Sequence, residues 1–481
     1  MILFALILVA GCNPNSLNSE GSFTSSWVRP EDPQEQIGAR EHPLVVAKYG
    51  GEYHNEKAER MLALIVGALV SVSNDPSRVY RVTILNTPKV NAFALPGGYL
   101  YLTRGLLALA NDSAEMAAVI AHEMAHVAAN HATLRQEKLA STKIGERVAT
   151  EVLGDSSSAR IALAANQLKL SEFSREQEFQ ADAVGIRMTG KAGYDPFAGA
   201  RFLETLHAFR NINQNGLQAF DDSSFLSSHP STPRRTELAK RHARFFGAPG
   251  VGKTERERFL RGIEGLAFGD SAEEGFVRAQ RFSHSSLGIT FEAPKGFTIE
   301  NQTKAVVISG KGDVAIRFDA TVIDRSINLK KYMNSGWING LDASSLEFRK
   351  INGLKTASGN ASADGWNFRI HVIRIGSQLY RFIAASAQSD LAGNIKSPRK
   401  YALQSVADSV TDSFRKLSKK ELAKLSPLKI KTVKFKSGTE LSTYADQMKN
   451  GGNSLKLLRI LNGLDIGELP PAGYRLKIVS D

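Results

Sequence analysis

At 481 residues the chain is long enough for two or three domains, and its single cysteine excludes a disulfide-stapled scaffold. The net charge of +13 is unevenly placed: residues 275–481 hold 32 Lys and Arg against 17 Asp and Glu, while the remainder holds 29 against 31. No RNA- or DNA-binding motif accompanies that excess, so nucleic acid is not an expected partner; anionic lipid headgroups or cell-wall polymers are what such a surface would attract.

Met1 to Gly11 is almost wholly apolar and runs into Leu8-Val9-Ala10-Gly11-Cys12. Twelve residues are too few to cross a bilayer, and small residues before a boundary suit a signal peptide. Residues 1–12 therefore read as a lipoprotein signal peptide, with Cys12 after Ala-Gly as the lipidated residue. Residues 13–42, rich in Ser, Pro, Asn and charge, read as a tether. The expected location is the periplasmic side of a bacterial cell envelope, with Asn13 favouring the outer membrane. No later stretch is long and apolar enough to span a membrane.

Residues 43–250 form the first expected domain. Within it, Glu56 to Val72 has a helical pattern, Tyr80 to Leu85 reads as a strand, and Asn91 to Thr103 as a strand or hairpin turning at Pro96-Gly97-Gly98. Asn91 to Leu95 is expected as an edge strand on which an extended peptide pairs, with Asn91, Ala92 and Phe93 as substrate-binding positions. Next comes an apolar helical run, Ala114 to Ala132, that contains His122-Glu123-Met124-Ala125-His126. Four-residue spacing puts both imidazoles on one helical face, roughly 40° apart, where one Zn²⁺ can accept both. Glu123, offset by one position, is placed to reach a metal-held water as general base. Burying these groups without a partner would be costly, and a metal removes that cost.

A catalytic zinc site needs a third protein ligand and an open position. His131 lies roughly 140° from His126 on a continuing helix, and no glycine between them turns the chain back, so it is expected to have a neighbouring structural role. Downstream, Glu172, Glu176, Glu178 and Asp182 all offer carboxylates, and spacing alone does not choose among them.

HEMAH, then Ser174-Arg175-Glu176-Gln177-Glu178-Phe179-Gln180-Ala181-Asp182, then Ser228-His229-Pro230-Ser231-Thr232-Pro233-Arg234-Arg235, occur in that order behind Asn91-Ala92-Phe93-Ala94-Leu95-Pro96-Gly97-Gly98. Together, over roughly Pro43 to Phe246, they resemble the zinc metallopeptidase family of HtpX, BepA and the CAAX prenyl endopeptidase. The resemblance implies a mainly helical gluzincin-type domain with a small sheet, binding one Zn²⁺ per chain. It assigns Glu178 as the third ligand and Asp182 as its support. His229 matches a histidine that in BepA-like members can occupy the open position and hold the enzyme idle. Arg235 matches an arginine near the metal, and His229 or Arg235 is expected to stabilise the oxyanion of the reaction.

Gly247 to Gly252 marks a break, and Glu255 to Leu266 a short helix. In residues 275–420, alternating runs at 289–291, 306–308, 314–318 and 368–373 read as strands, and 327–333 and 401–417 as helices: a small α+β domain of no assigned role. His284 and His371 there are expected to be structural. Residues 430–481 resemble a divergent LysM module, a β-α-α-β unit of a kind that often binds peptidoglycan. The whole is thus a multidomain α+β chain. The expected function is a lipid-anchored periplasmic zinc endopeptidase acting on misfolded or stalled envelope proteins. The alternatives are a chaperone-like outer-membrane assembly factor with latent proteolysis, or a peptidoglycan-binding envelope protein.

Overall fold

The computed structural model describes residues 32–135, 137, 174–214, 225–230, 232–302, 305–310, 314–387, 398–449 and 453–481. Cys12, the apolar leader and Glu172 lie outside the described residues.

The expected tether is shorter than its composition suggested. Asp32 accepts a hydrogen bond from the Gln34 amide at 2.8 Å and, with Pro33 in the first turn, starts helix α1, Pro33–Lys48. Gly38 on this helix fits so closely that a Cβ would sit 2.2 Å from the Pro96 carbonyl oxygen. Residues 33–42 are therefore packed structure, held against a β-turn.

Helix α2, Glu56–Val70, is capped by Asn55 and buries Ala58, Met61, Leu62, Ile65, Val66 and Leu69 along one face. Strands β1 (Arg81–Leu85), β2 (Ala92–Leu95) and β3 (Tyr99–Thr103) form a small sheet in the order β1-β3-β2. β3 is parallel to β1 and antiparallel to β2, which leaves β2 at an edge. α1 covers one face of this sheet through Tyr49, Phe93, Tyr99 and Tyr101. Helices α3 (Arg104–Leu109) and α4 (Ser113–Ala128) follow. α4 is capped by Asp112 and buried from Ser113 to Val127. α5 (Arg175–Lys191), α6 (Ala198–Gln214), α7 (Phe225–Ser228), α8 (Pro233–Ala243) and α9 (Arg256–Ile263) complete the helical part.

After β4 (Ala267–Phe268) come two antiparallel sheets. β5 (Phe276–Arg278), β6 (Arg281–His284), β7 (Ile289–Glu292) and β15 (Arg415–Lys416) form one, in the order β15-β7-β6-β5. The other has β8 (Phe297–Gln302), β9 (Ala305–Gly310), β10 (Ala315–Val322), β11 (Leu341–Ile351), β12 (Leu354–Ala363), β13 (Trp366–Ile375) and β14 (Gln378–Ala387), ordered β11-β12-β13-β14-β10-β9-β8. Helix α10 (Leu329–Met333) precedes β11, and α11 (Pro398–Asp412) lies against β13 and β14. Phe282, Phe291, Phe318, Phe382 and Phe414 centre their shared core. His371, on β13, sits 2.8 Å from Ser358 Oγ and 3.0 Å from Asp408, tying the sheet to α11.

A short helix α12 (Lys419–Leu422) leads to β16 (Leu428–Lys434), α13 (Leu441–Ala445), α14 (Ser454–Asn462) and β17 (Arg475–Ser480). β16 pairs antiparallel with β17 and also with β4. The strand-helix-helix-strand order is present, but the segment is no separate unit. Leu428, Ile430, Phe435, Leu458, Leu461 and Leu476 belong to the same buried cluster as Leu62, Leu106 and Ile120 of the helical part. The buried Nζ of Lys477, whose pKa burial lowers well below the ordinary lysine value, donates to the carbonyls at the end of α3, where those of Ala108 (3.0 Å), Leu109 (3.2 Å) and Ala110 surround it. Arg256 bonds the Asn111 carbonyl at 2.6 Å and that of Arg475 at 3.1 Å, closing the same joint.

Candidate metal centre

Two turns of α4 present His122 and His126 to α5, and Gly185 is what lets the helices approach. A Cβ at that position would lie 3.0 Å from the His122 backbone nitrogen. α5 begins at a capping box, Ser174 with Gln177, which sets Glu178 in its first turn against the two imidazoles. The segment before α8 brings His229 in from the opposite side, its ring stacked on Phe225 at 4.6 Å between centroids.

These four side chains converge. His122 Nε2 lies 3.0 Å from His126 Nε2 and 3.2 Å from His229 Nδ1. Glu178 Oε1 lies 2.9 Å from His229 Nδ1 and 3.3 Å from His126 Nε2, and Glu178 Oε2 is 3.6 Å from His122 Nε2. One ligand atom from each falls within 4.8 Å of all the others, and all four residues are buried. Glu123 stands beside them, Oε1 3.5 Å from His229 Nε2.

Groups behind the donors fix which nitrogen each imidazole turns inward. His122 Nδ1 is 3.0 Å from Asp182 Oδ1; donating there leaves Nε2 with its lone pair. His131 Nε2 lies 3.2 Å from Gln180 Oε1, and its Nδ1 lies 2.9 Å from His126 Nδ1. If the Gln180 oxygen accepts from His131, then His131 accepts from His126, and His126 Nε2 also carries a lone pair. Two lone pairs 3.0 Å apart repel, and a shared cation relieves them. The spacings of 2.9–3.6 Å also approach the roughly 3.3 Å edge of a tetrahedron drawn around an ion bound at about 2.0–2.1 Å. The donor set fits a metal ion.

The electrostatics act differently on each donor: burial opposes a charge on His122, but the bond to Asp182 and the nearby Glu178 outweigh it and raise the ring above the ordinary histidine value. Burial pushes His126 down to about 2, so its ring stays neutral. Burial acts to raise the Glu178 carboxyl, but the surrounding imidazoles of His229, His126 and His122 outweigh it and hold the group well below the ordinary carboxylate range. Burial likewise opposes ionisation of Asp182, yet the bonds from Arg235 and His122 bring it to about 2. Glu123 shifts the other way: burial lifts its carboxyl above the ordinary range.

Three sequence expectations change. Arg235 does not face a reacting group. Its Nε and Nη2 grip Asp182 at 2.8 Å each, and Nη1 reaches Glu178 Oε2 at 2.6 Å and the Pro230 carbonyl at 3.1 Å, so it braces the donors from behind. α4 does not continue to His131: it ends at Ala128, and Asn130 takes a left-handed φ of 54°, which swings His131 back onto His126. Asn91 is not open to a peptide. Its amide donates to Thr103 Oγ1 and its carbonyl accepts from the Thr103 amide, both at 3.0 Å. In the alternation of an antiparallel ladder, Phe93 follows Asn91 in pairing inward, while Ala92 and Ala94 turn their peptide groups to the outer edge. The sequence reading also passed over Gln180, two residues past Glu178, and Phe225, four before His229. Their places beside motif residues were the only available signal.

The family model for peptidase family M48 matches residues 56–243. Over 222 residues the chain is 27% identical to the mitochondrial metalloendopeptidase OMA1 of Schizosaccharomyces pombe, covering 42% of this chain and 59% of that protein. Over 160 residues it is 35% identical to the Arabidopsis thaliana protein of the same name, covering 33% and 30%. Over 147 residues it is 29% identical to the beta-barrel assembly-enhancing protease of Escherichia coli, covering 29% and 30%. The chain thus spans less than two thirds of each relative's length. Residues 56–243, which hold every donor of the cluster, are a metallopeptidase domain of peptidase family M48.

Proposed function

We propose that the chain is a zinc-dependent endopeptidase that hydrolyses peptide bonds in misfolded or stalled envelope proteins. The observation that carries the reading is the convergence of His122, His126 and Glu178, with Glu123 beside them, in a buried pocket. Zinc held by the three would polarise the scissile carbonyl and acidify the attacking water. Glu123 takes that water's proton and passes it to the leaving amine; its burial-raised affinity for protons suits both transfers. Asp182 and Arg235 keep His122 and Glu178 in place as charge moves. His229, 3.2 Å from His122 Nε2 and 2.9 Å from Glu178 Oε1, stands where a fourth ligand would. It must swing away to admit a carbonyl, and can then donate to the developing oxyanion.

Envelope quality control is supported by the likeness to the beta-barrel assembly-enhancing protease of Escherichia coli, and lipid anchoring by the Leu-Val-Ala-Gly-Cys sequence ending at Cys12. The position of His229 favours a second reading, in which the chain assists assembly and its proteolysis stays latent. Glu123→Gln separates the two. The endopeptidase reading expects casein cleavage to fall at least a thousandfold with zinc retained, and biological activity to fall with it. Full biological activity in that variant would favour the assembly role. Cell-wall glycan binding by residues 430–481 would be tested by sedimentation with purified peptidoglycan; the place to look is the groove lined by Phe435, Leu441, Arg459 and Leu469.

A further inference from the structure

Far from the metal centre, the seven-stranded sheet ends on β11, and among the described residues no strand pairs beyond it. Its last stretch, Glu347-Phe348-Arg349-Lys350, is exposed residue after residue, Phe348 by 51%. The hairpin to β12 fixes which peptide groups face outward. Asn352 and Gly353 both have positive φ, 49° and 80°, as in the two-residue turn whose twist suits a hairpin. That turn closes on a hydrogen-bonded pair, Ile351 with Leu354, so bonding to β12 recurs at Arg349 and Glu347, opposite Thr356 and Ser358. The N–H and C=O of Phe348 and Lys350 therefore point away from the sheet. The side chains divide as well. Phe348 lies opposite Ala357, which is buried with Met333 and Val372 under α10, so that apolar face runs out to the edge. Glu347 and Arg349 take the other face, where Arg349 bonds Asp412 at 2.9 Å and Glu347 stands 3.4 Å from Arg369. Both still face solvent, with side chains 58% and 40% exposed.

We propose that β11 is a self-recognition edge, on which a second copy of this chain adds its own β11, antiparallel, about a two-fold axis through Phe348. Charge identifies the occupant. In that register Glu347 of each chain lies opposite Arg349 of the other, and Phe348 lies opposite its own copy. Opposite charges directly across a strand pair attract, and an aromatic pair adds to them. Two-fold symmetry makes both ion pairs at once, while the outward N–H and C=O groups of the two Phe348 residues bond each other. Centring the axis on Lys350 instead would set two lysines against each other. Charges on an edge strand commonly deter pairing; here they match a copy in one register and repel a copy two residues along. Two peptidase domains are then carried in one particle, each within reach of a chain held by the other.

Sedimentation equilibrium of the full chain, from micromolar to submillimolar concentration, should show a reversible equilibrium between one chain mass and twice that mass. Glu347→Arg and Arg349→Glu should each weaken the dimer about tenfold or more. The double variant Glu347→Arg/Arg349→Glu should restore it, because the swap keeps every pair across the axis matched. Loss of the contacts to Arg369 and Asp412 within one chain cannot produce that recovery. Phe348→Pro removes an outward N–H and leaves the ladder to β12 intact, so it should weaken the dimer with little change in Tm. A chain that stays monomeric at every concentration, a dimer that both single reversals leave untouched, or one that the swap fails to rescue would overturn the proposal.

Discussion

Three histidines and a glutamate in van der Waals contact would be an expensive arrangement if they faced only each other. The side chains behind them show how the cost is managed. Asp182 and His131 each hold the distal nitrogen of one imidazole and so choose its tautomer, which is the condition for a lone pair to point inward. Asp182→Asn and His131→Leu are each expected to weaken zinc binding about 10–100-fold, the usual range for such partners, with little change in fold. Competition with a chromophoric chelator measures this directly; unchanged affinity in both would mean the tautomers are set otherwise. At this scale much was legible. His122, Glu123 and His126 share a spacing with a mechanical meaning, but carboxylates two to six residues apart on α5 looked alike until the family pattern singled out Glu178. Arg235 could be placed near the metal but not oriented, because nothing in a linear sequence says which side of a carboxylate a guanidinium takes.

Helices carry these residues, and their approach sets the geometry. α4 and α5 pass closely at Gly185, and Gly185→Val must push them apart. Such overpacking costs about 1–3 kcal/mol. It is expected to withdraw Glu178 from the imidazoles and cut zinc occupancy more than thermal stability. A variant that keeps full zinc would show that the helix spacing is not what positions the ligand. The start of α4 has its own pH signature. Glu115, whose carboxylate accepts from the Asn111 amide at 2.8 Å, is pushed up to about 7 by burial and by the charge of Asp112. A carboxyl whose folded pKa stands above its unfolded value costs the fold stability on ionising. The cost is absent below about pH 4.5, grows as pH rises, and is complete above about 7. Glu115→Gln should therefore gain in Tm relative to wild type between pH 5 and pH 8. A difference that is flat with pH would contradict the assignment. Helices with one apolar face, such as α2, were readable from periodicity, and so were the Val- and Ile-rich strands β9, β10 and β13. α1 was not, since its mixed, charged sequence buries only Glu35 and Gly38 fully. β11 and β12 were missed because Ser, Ala, Gly and Asn give no alternation of polarity to read.

The molecule as a whole departs most from its sequence reading at the C-terminal end. Composition and motif order divided residues 430–481 from the peptidase, whereas packing joins them through one buried cluster and one lysine. Contacts between residues more than 360 positions apart leave no trace in local pattern, so the joint could not be anticipated. Lys477→Met would keep the length of the side chain and strand three carbonyls at the end of α3, costing about 3 kcal/mol or more. The measurement is urea unfolding, and the expected sign is a fall in midpoint for the peptidase and C-terminal probes together. A fall seen only by C-terminal probes would make the segment an appended module after all.

All of this depends on one ion in one place. X-ray diffraction from zinc-loaded crystals, measured on both sides of the zinc absorption edge, locates it without reference to activity. A single strong anomalous peak is expected within bonding distance of His122 Nε2, His126 Nε2 and a Glu178 oxygen. An empty cluster, or a peak held by other side chains, would contradict it.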